Sequence, residues 1–150
     1  MSKVYALSGM RVAYLCASDT LLNRLKIFTP PWVVGLPSQV AATAALKDVA
    51  YYESCYQKTH LLRESLAHNL TTLCGIRVLS GTANFILCEI QKNLEKDYLL
   101  EQCKNQGLFL RDIASMGSSL EKNLIRIAVK DEKTNKRMVD ILQKIGKQAL

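Results

Sequence analysis

Two basic side chains, Lys3 and Arg11, lie near the start of the sequence. Lysines can attack carbonyl groups, and arginines can bind phosphates. A lysine amine attacks a carbonyl carbon when burial and neighbouring positive charge keep it partly deprotonated. An arginine grips a phosphate through two parallel hydrogen bonds, and Ser2 adds a hydroxyl donor next to the lysine. A lysine near a terminus is usually solvated, so the spacing alone also allows an unspecialised surface segment.

Two further arginines lie in apolar surroundings in the second half of the chain. Arg126 stands between Ile125 and Ile127 in a predicted strand, whose alternation places its side chain on the opposite face from both isoleucines. A charge in such a strand is unusual without an anion nearby; the alternative is an arginine on an edge strand. Arg111 precedes Asp112, so its alternative to anion binding is a surface ion pair.

The composition predicts a folded domain without a metal site. The chain has 150 residues, ample for one domain and few for two, and 49% of them are hydrophobic. The five cysteines form no CxxC pair and the two histidines lie near none of them in ligand spacing, so we expect free thiols in a reducing cytoplasm. No apolar stretch reaches the roughly 18 residues of a membrane span, so we expect no membrane partner.

The net charge of +7 permits nucleic-acid binding but does not predict it. The basic residues are scattered along the chain, and the densest run, residues 130–137, also contains Asp131 and Glu132. We therefore interpret this run as a solvated helix face and expect no nucleic-acid partner. A second interpretation is that the chain is a piece of a larger protein, whose other part carries acidic residues that offset this positive charge.

The first half of the chain predicts one strand followed by helices. The nearly continuous apolar run 11–17 is typical of a strand buried on both faces. Asp19 is expected to cap a helix over 20–28, and Pro37 to open an alanine-rich helix that reaches about Lys47. Asp48 then caps a long helix, with one stripe of less polar residues at Tyr52, Cys55, Thr59, Leu62, Leu66 and Leu70.

The second half predicts strands that alternate with helices. Strands are expected at residues 76–79, 84–90, 108–111 and 124–129. One helix over 95–106 ends at Gly107, and a last helix is capped by Asp131, with a loop at 115–119. The core face of the last helix is expected to contain Met138, Ile141, Leu142 and Ile145. The fold class is therefore α/β or α+β.

The N-terminal string resembles a known family. Ser2-Lys3-x-x-x-Leu7-x-Gly9-x-Arg11-x-x-Tyr14 is similar to class I/II pyridoxal-phosphate-dependent aminotransferases of fold type I, in the subgroup that includes the histidinol-phosphate aminotransferases. The similarity continues in the family's order through four more segments: PSQVAA at 37–42, ANF at 83–85, GLFLRD at 107–112 and LIRIAV at 124–129. The resemblance implies a cytoplasmic transferase of amino-acid biosynthesis that works as a homodimer.

The resemblance also implies a role for each candidate residue. Lys3 would bond to the aldehyde of pyridoxal 5'-phosphate and carry the proton of the substrate α-carbon. Arg11 would hold the cofactor phosphate, with Ser2 as a weaker helper. Arg126 would bind the substrate α-carboxylate, and Arg111 a phosphate or carboxylate on the substrate side chain. The substrates would be an amino acid or amino phosphate, resembling histidinol phosphate, and a 2-oxo acid.

The family places the rest of its cofactor site before the lysine, whereas two residues precede Lys3. We therefore expect a C-terminal fragment, inactive alone: residues 1–48 as a remnant of the large cofactor-binding domain, and 49–150 as a connecting helix and small domain. The alternative is a non-catalytic interaction module, or half of a split enzyme that pairs with a separate N-terminal part. If the chain is a fragment, residues 11–47 should expose apolar surface and an unpaired sheet edge.

Overall fold

The computed structural model describes residues 1–117 and 123–149. The chain divides into two compact units, Met1–Cys55 and Tyr56–Leu150. The boundary between the units falls inside one long helix. No helix of the described residues is long and apolar enough to cross a membrane.

Three helices make up most of the N-terminal unit: α1 (Asp19–Lys26), α2 (Leu36–Lys47) and the first turns of α3 (Val49–Thr71). Pro37 lies in the first turn of α2, where its fixed φ suits the helix and no backbone N–H is needed. Asp48 caps α3, because its Oδ1 accepts a hydrogen bond from the Tyr51 N–H at 3.3 Å. Both predicted helix starts are confirmed.

The predicted cap of α1 is wrong by one position. Ser18 occupies the N-cap and makes no side-chain hydrogen bond there, whereas Asp19 is the first helical residue. Its negative charge still lies at the favourable end of the helix dipole. None of the residues of α1 is buried.

The strand predicted over residues 11–17 is absent, and this prediction is wrong. Val12 is buried, but the residues that follow it to Ala17 are exposed and unpaired in any sheet. A strand needs a neighbour for its ladder of hydrogen bonds, and none of the described residues of this unit offers one. The expected apolar surface is present in residues 11–47, but the expected sheet edge is not.

The second unit contains a four-stranded antiparallel sheet in the order β1-β2-β4-β3. Its strands are β1 (Ile76–Val78), β2 (Phe85–Ile90), β3 (Arg111–Asp112) and β4 (Leu124–Ala128). Ile86 pairs with Ile127, and Cys88 with Ile125, so these four buried side chains share one face. The alternate residues of β2 and β4 point to the other face, which we call the open face.

The core lies between the sheet face opposite the open face and three helices. These are α4 (Lys96–Asn105), α5 (Glu132–Ala149) and the second half of α3. The stripe predicted on α3 is confirmed, since every one of its members is half-buried or buried. The core face predicted for α5 is also confirmed, because all four of its residues are buried: Met138, Ile141, Leu142 and Ile145.

Helix α4 ends and helix α5 begins where Gly107 and Asp131 predict. Gly107 has a φ of +68°, a conformation that favours glycine. The N–H of Leu108 then bonds to the Cys103 carbonyl at 2.8 Å and closes the helix end. Asp131 caps α5, because its Oδ1 accepts a hydrogen bond from the Thr134 N–H at 3.0 Å.

Two expectations for the second half need correction. The strand expected at 108–111 is only the two-residue β3, which begins at Arg111. The expected loop at 115–119 begins inside a 3-10 turn, Ala114–Met116, and its residues 118 and 119 lie outside the described residues. The basic run at 130–137 starts α5 with its lysines and arginine exposed, as expected.

Candidate functional site

Arg111 and Arg126 lie side by side on the open face of the sheet. They are paired residues of β3 and β4, so their Cα atoms are about 5 Å apart. On its other side Arg126 pairs with Leu87, and its guanidinium carbon lies 5.2 Å from the centroid of the Phe85 ring. An arginine over an aromatic face is held in orientation by a cation–π contact.

Neither guanidinium has a carboxylate partner among residues 1–117 and 123–149. The ion pairs Arg77–Glu89, Lys96–Asp112 and Lys136–Asp140 lie in this part of the chain and involve neither arginine. Like charges directly opposite each other in a sheet repel and destabilise the pairing. An oxyanion that accepts hydrogen bonds from both guanidiniums would relieve this repulsion.

The sequence left two alternatives to anion binding, an edge-strand position for Arg126 and an ion pair with Asp112 for Arg111, and neither applies. β4 lies between β2 and β3, so Arg126 is not on an edge strand. Asp112 forms its ion pair with Lys96 at 2.8 Å rather than with Arg111. Strand alternation points the side chains of Arg111 and Asp112 to opposite faces. Both arginines are therefore available to an anion from outside the described residues.

In the N-terminal unit, Lys3 lies exposed in a turn. Its carbonyl accepts a hydrogen bond from the Ala6 N–H at 3.2 Å. The Tyr5 ring packs edge-on against Tyr52 with centroids 4.8 Å apart, and the Tyr52 hydroxyl donates to the Tyr5 carbonyl at 3.4 Å. The lysine backbone is thus tied to the start of α3, while its side chain is left accessible. Ser2, next to it, is half-buried.

Arg11 is the second exposed cation of this segment. Its Nη1 donates to the Ser8 carbonyl at 3.3 Å, and its backbone has a φ of +49°. A positive φ at a residue other than glycine costs free energy and is often found where a side chain is aimed for function. Within this unit the fold therefore presents an amine and a guanidinium eight residues apart in sequence.

The family model described as aminotransferase class I and II matches residues 1–142. The chain belongs to this family. The histidinol-phosphate aminotransferase of Methanocaldococcus jannaschii is 31% identical over 144 residues, which are 96% of this chain and 38% of that protein. The curated histidinol-phosphate aminotransferases it matches are thus more than twice as long, and the chain corresponds to their C-terminal portion.

Solved structures support the same relationship. The histidinol-phosphate aminotransferase from Clostridium acetobutylicum is 25% identical, with a TM-score of 0.88 over 99% of this chain and 44% of that one. The enzyme from Sinorhizobium meliloti, solved with pyridoxal-5'-phosphate, shares the fold at a TM-score of 0.85 and 18% identity, covering 99% of this chain and 40% of that one. The predicted class, part of a fold-type-I α/β transferase, is confirmed.

Other reactive groups of this aminotransferase chain are poor candidates for chemistry. Burial raises the pKa of Cys88 to about 12 and that of Cys103 to about 11, so both thiols stay protonated and unreactive. No group of three His, Cys, Asp or Glu side chains in the described part of the chain could hold a metal ion.

Sequence reasoning missed two side chains that contact Arg126 or the neighbour of Arg111. Phe85 lies beneath Arg126, and Lys96 binds Asp112 next to Arg111. The sequence shows that Phe85 and Leu87 share a face of β2, but not which residue of β4 lies opposite. Lys96 and Asp112 are 16 residues apart on different elements, so no periodicity links them.

Proposed function

We propose that the whole protein is a pyridoxal-phosphate-dependent aminotransferase that moves an amino group between an amino acid or amino phosphate, resembling histidinol phosphate, and a 2-oxo acid. The observation that carries this proposal is the pair of unmatched guanidiniums, Arg111 and Arg126, facing outward from one sheet. Substrates of this class carry a carboxylate, a phosphate or both, which are the anions that such a pair holds best.

The exposed side chains of the N-terminal unit fit the chemical groups of the cofactor. The Lys3 amine suits its aldehyde, and the Arg11 guanidinium suits its phosphate, with the Ser2 hydroxyl as a further donor. When bound, pyridoxal phosphate withdraws electrons from the substrate α-carbon and so makes its proton acidic. The Lys3 Nζ would then take up and return that proton as a general base and acid.

The two substrate arginines would divide the anionic groups between them. Arg126, half-buried and held over Phe85, would bind the α-carboxylate in a fixed orientation. Arg111, exposed on the two-residue β3, would bind the phosphate or carboxylate at the far end of the substrate. A bidentate grip on a planar carboxylate orients the α-carbon, which lowers the entropic cost of reaction.

Exposed apolar side chains of the N-terminal unit favour a further polypeptide surface as partner. Ile27 is 78% exposed, Phe28 77%, Trp32 93% and Leu36 71%. Apolar side chains so close in sequence and so exposed commonly mark an interface. We infer that they pack against the part of the enzyme that corresponds to the remainder of its relatives, whether that part belongs to the same chain, a second copy or a separate N-terminal half.

The cysteines support a reducing compartment such as the cytoplasm. No disulfide joins any of the five, all of which lie in the described residues. Cys16 and Cys74 are exposed, and exposed thiols persist where glutathione keeps them reduced.

A spectrophotometric titration with pyridoxal phosphate tests the cofactor part of the proposal. The chain should develop a long-wavelength absorbance band that is lost in Lys3→Ala and kept in Lys26→Ala, a matched exposed lysine of the same unit. Arg11→Met should weaken cofactor binding, whereas Arg24→Met should not. Equal bands in Lys3→Ala and the unmodified chain would refute the assignment.

A further inference from the structure

Asp112 is held from two sides at the end of the shortest strand of the sheet. Its Oδ2 accepts a hydrogen bond from Lys96 Nζ at 2.8 Å, and its Oδ1 accepts one from the Ala114 N–H at 2.9 Å. Lys96 is the first residue of α4, so the ion pair joins the start of that helix to β3. These two bonds, with Lys96 the larger influence, lower the pKa of Asp112, which is therefore ionised at neutral pH.

The Lys96–Asp112 pair differs from the ion pair on α5 in its burial. The Lys96 side chain is only 12% exposed and that of Asp112 42%, whereas Lys136 and Asp140 are 75% and 57% exposed. Fully exposed pairs contribute little because water and salt screen them. Water and salt screen a partly buried pair such as Lys96–Asp112 less than an exposed one.

Asp112 is bonded directly to Arg111, so holding one limits the backbone position of the other. The two residues are neighbours in β3, and alternation sends their side chains to opposite faces. β3 has two residues and pairs with β4 alone, so few backbone bonds hold it. Repulsion between Arg111 and Arg126 acts to separate the strands, and a tether on Asp112 opposes that separation.

We propose that Lys96 and Asp112 are positioning residues that hold Arg111 opposite Arg126, so that a substrate with two anionic groups meets two preset guanidiniums. This inference rests on the proposed function of the two arginines. Without the Lys96–Asp112 ion pair, the Arg111 side chain is free to move away from Arg126. Binding an anion must then order Arg111, which weakens the binding. Arg126 keeps its own orientation, because Phe85 rather than Lys96 supports it.

The test uses the arginine side-chain N–H signals in nuclear magnetic resonance spectra of the full chain, assigned with Arg111→Lys and Arg126→Lys. The probes are inorganic phosphate, whose oxygens can reach both guanidiniums, and acetate, whose single carboxylate needs Arg126 alone. Lys96→Met should weaken phosphate binding about tenfold, equivalent to roughly 1.4 kcal/mol, and leave acetate binding unchanged. Lys96→Arg should restore phosphate binding.

Lys136→Met is the matched control, since it removes the same charge and breaks the exposed pair with Asp140. It should leave phosphate affinity within about twofold of the unmodified chain, which is near 0.4 kcal/mol. Asp112→Asn removes the ion pair from its other side and should weaken phosphate binding as Lys96→Met does, which guards against a folding defect in one variant.

Unchanged phosphate binding in both Lys96→Met and Asp112→Asn would overturn the positioning role, as would an equal loss in Lys136→Met. If phosphate shifts neither arginine in the unmodified chain, the proposed substrate site itself is wrong.

Discussion

Arg111 and Arg126 face each other across β3 and β4 as directly paired residues, and no carboxylate of the described residues neutralises either. Sheets generally avoid like charges in opposed positions because they repel. Here the repulsion is compatible with folding because Phe85 supports one guanidinium and the Lys96–Asp112 pair fixes the strand that carries the other. We expect this repulsion to lower the stability of the free chain, and an anion bound to both guanidiniums to restore it.

Removing one of the two opposed charges should therefore stabilise the chain while it weakens the binding of phosphate, which contacts both guanidiniums. Arg111→Gln is expected to raise the free energy of unfolding by about 0.2–1 kcal/mol at low salt. Urea unfolding followed by circular dichroism measures this change. Arg77→Gln is the control: it breaks the ion pair with Glu89 on the same face and should not stabilise. A loss of stability in Arg111→Gln would show that repulsion is not the dominant effect at this position.

The Lys96–Asp112 tether should be lost in acid. The pKa of Asp112 is lowered in the folded state by Lys96 and by the Ala114 N–H. A lowered carboxyl pKa contributes stability that is fully present above the unfolded pKa of about 3.9 and lost as pH falls through the folded pKa. The stability difference between the unmodified chain and Asp112→Asn should thus be constant near neutrality and shrink below about pH 4. A difference that persists to pH 2 would contradict this assignment.

The core of the second unit should be sensitive to the truncation of a single buried side chain. Leu99 is fully buried on α4, whereas Leu61 on α3 is 68% exposed. Leu99→Ala should reduce the free energy of unfolding by about 2–5 kcal/mol, since it leaves a cavity that neighbours fill only in part. Leu61→Ala should stay within about 0.5 kcal/mol. Similar effects of the two substitutions, in chemical denaturation, would mean that the core is not packed as described.

The exposed apolar side chains of the N-terminal unit should promote self-association of the isolated chain. Trp32 is 93% exposed and Phe28 77%. Replacing both by serine is expected to reduce the weight-average mass at micromolar concentration, measured by sedimentation equilibrium, because less apolar surface is removed from water on association. Leu61→Ser, an exposed apolar position in the other unit, is the matched control and should leave the mass unchanged. Unaltered association in the double variant would place the interface elsewhere.

Sequence reasoning succeeded where structure is determined locally. Asp48, Gly107 and Asp131 mark helix ends through their own backbone geometry or hydrogen bonds, and each does so in the structure. The apolar face of α5 follows from helical periodicity alone and is buried as predicted.

Sequence reasoning failed where structure depends on distant partners. The apolar run 11–17 has the composition of a buried strand but no neighbouring strand among the described residues of its unit. The interior position of Arg126 follows from the strand order β1-β2-β4-β3, which periodicity does not reveal. The partner of Asp112 lies 16 residues away, so the sequence suggested its neighbour Arg111 instead.

The central claim, that this chain carries the cofactor lysine of an aminotransferase, is tested most directly by trapping the bound cofactor. The chain is mixed with stoichiometric pyridoxal phosphate, reduced with borohydride, digested, and mapped by peptide mass spectrometry. We predict that the reduced adduct is concentrated on Lys3 and that Arg11→Met lowers its yield, because the arginine holds the phosphate while the amine reacts. Adduct spread evenly over exposed lysines such as Lys26 and Lys47, with Lys3 no more labelled than they are, would contradict the claim.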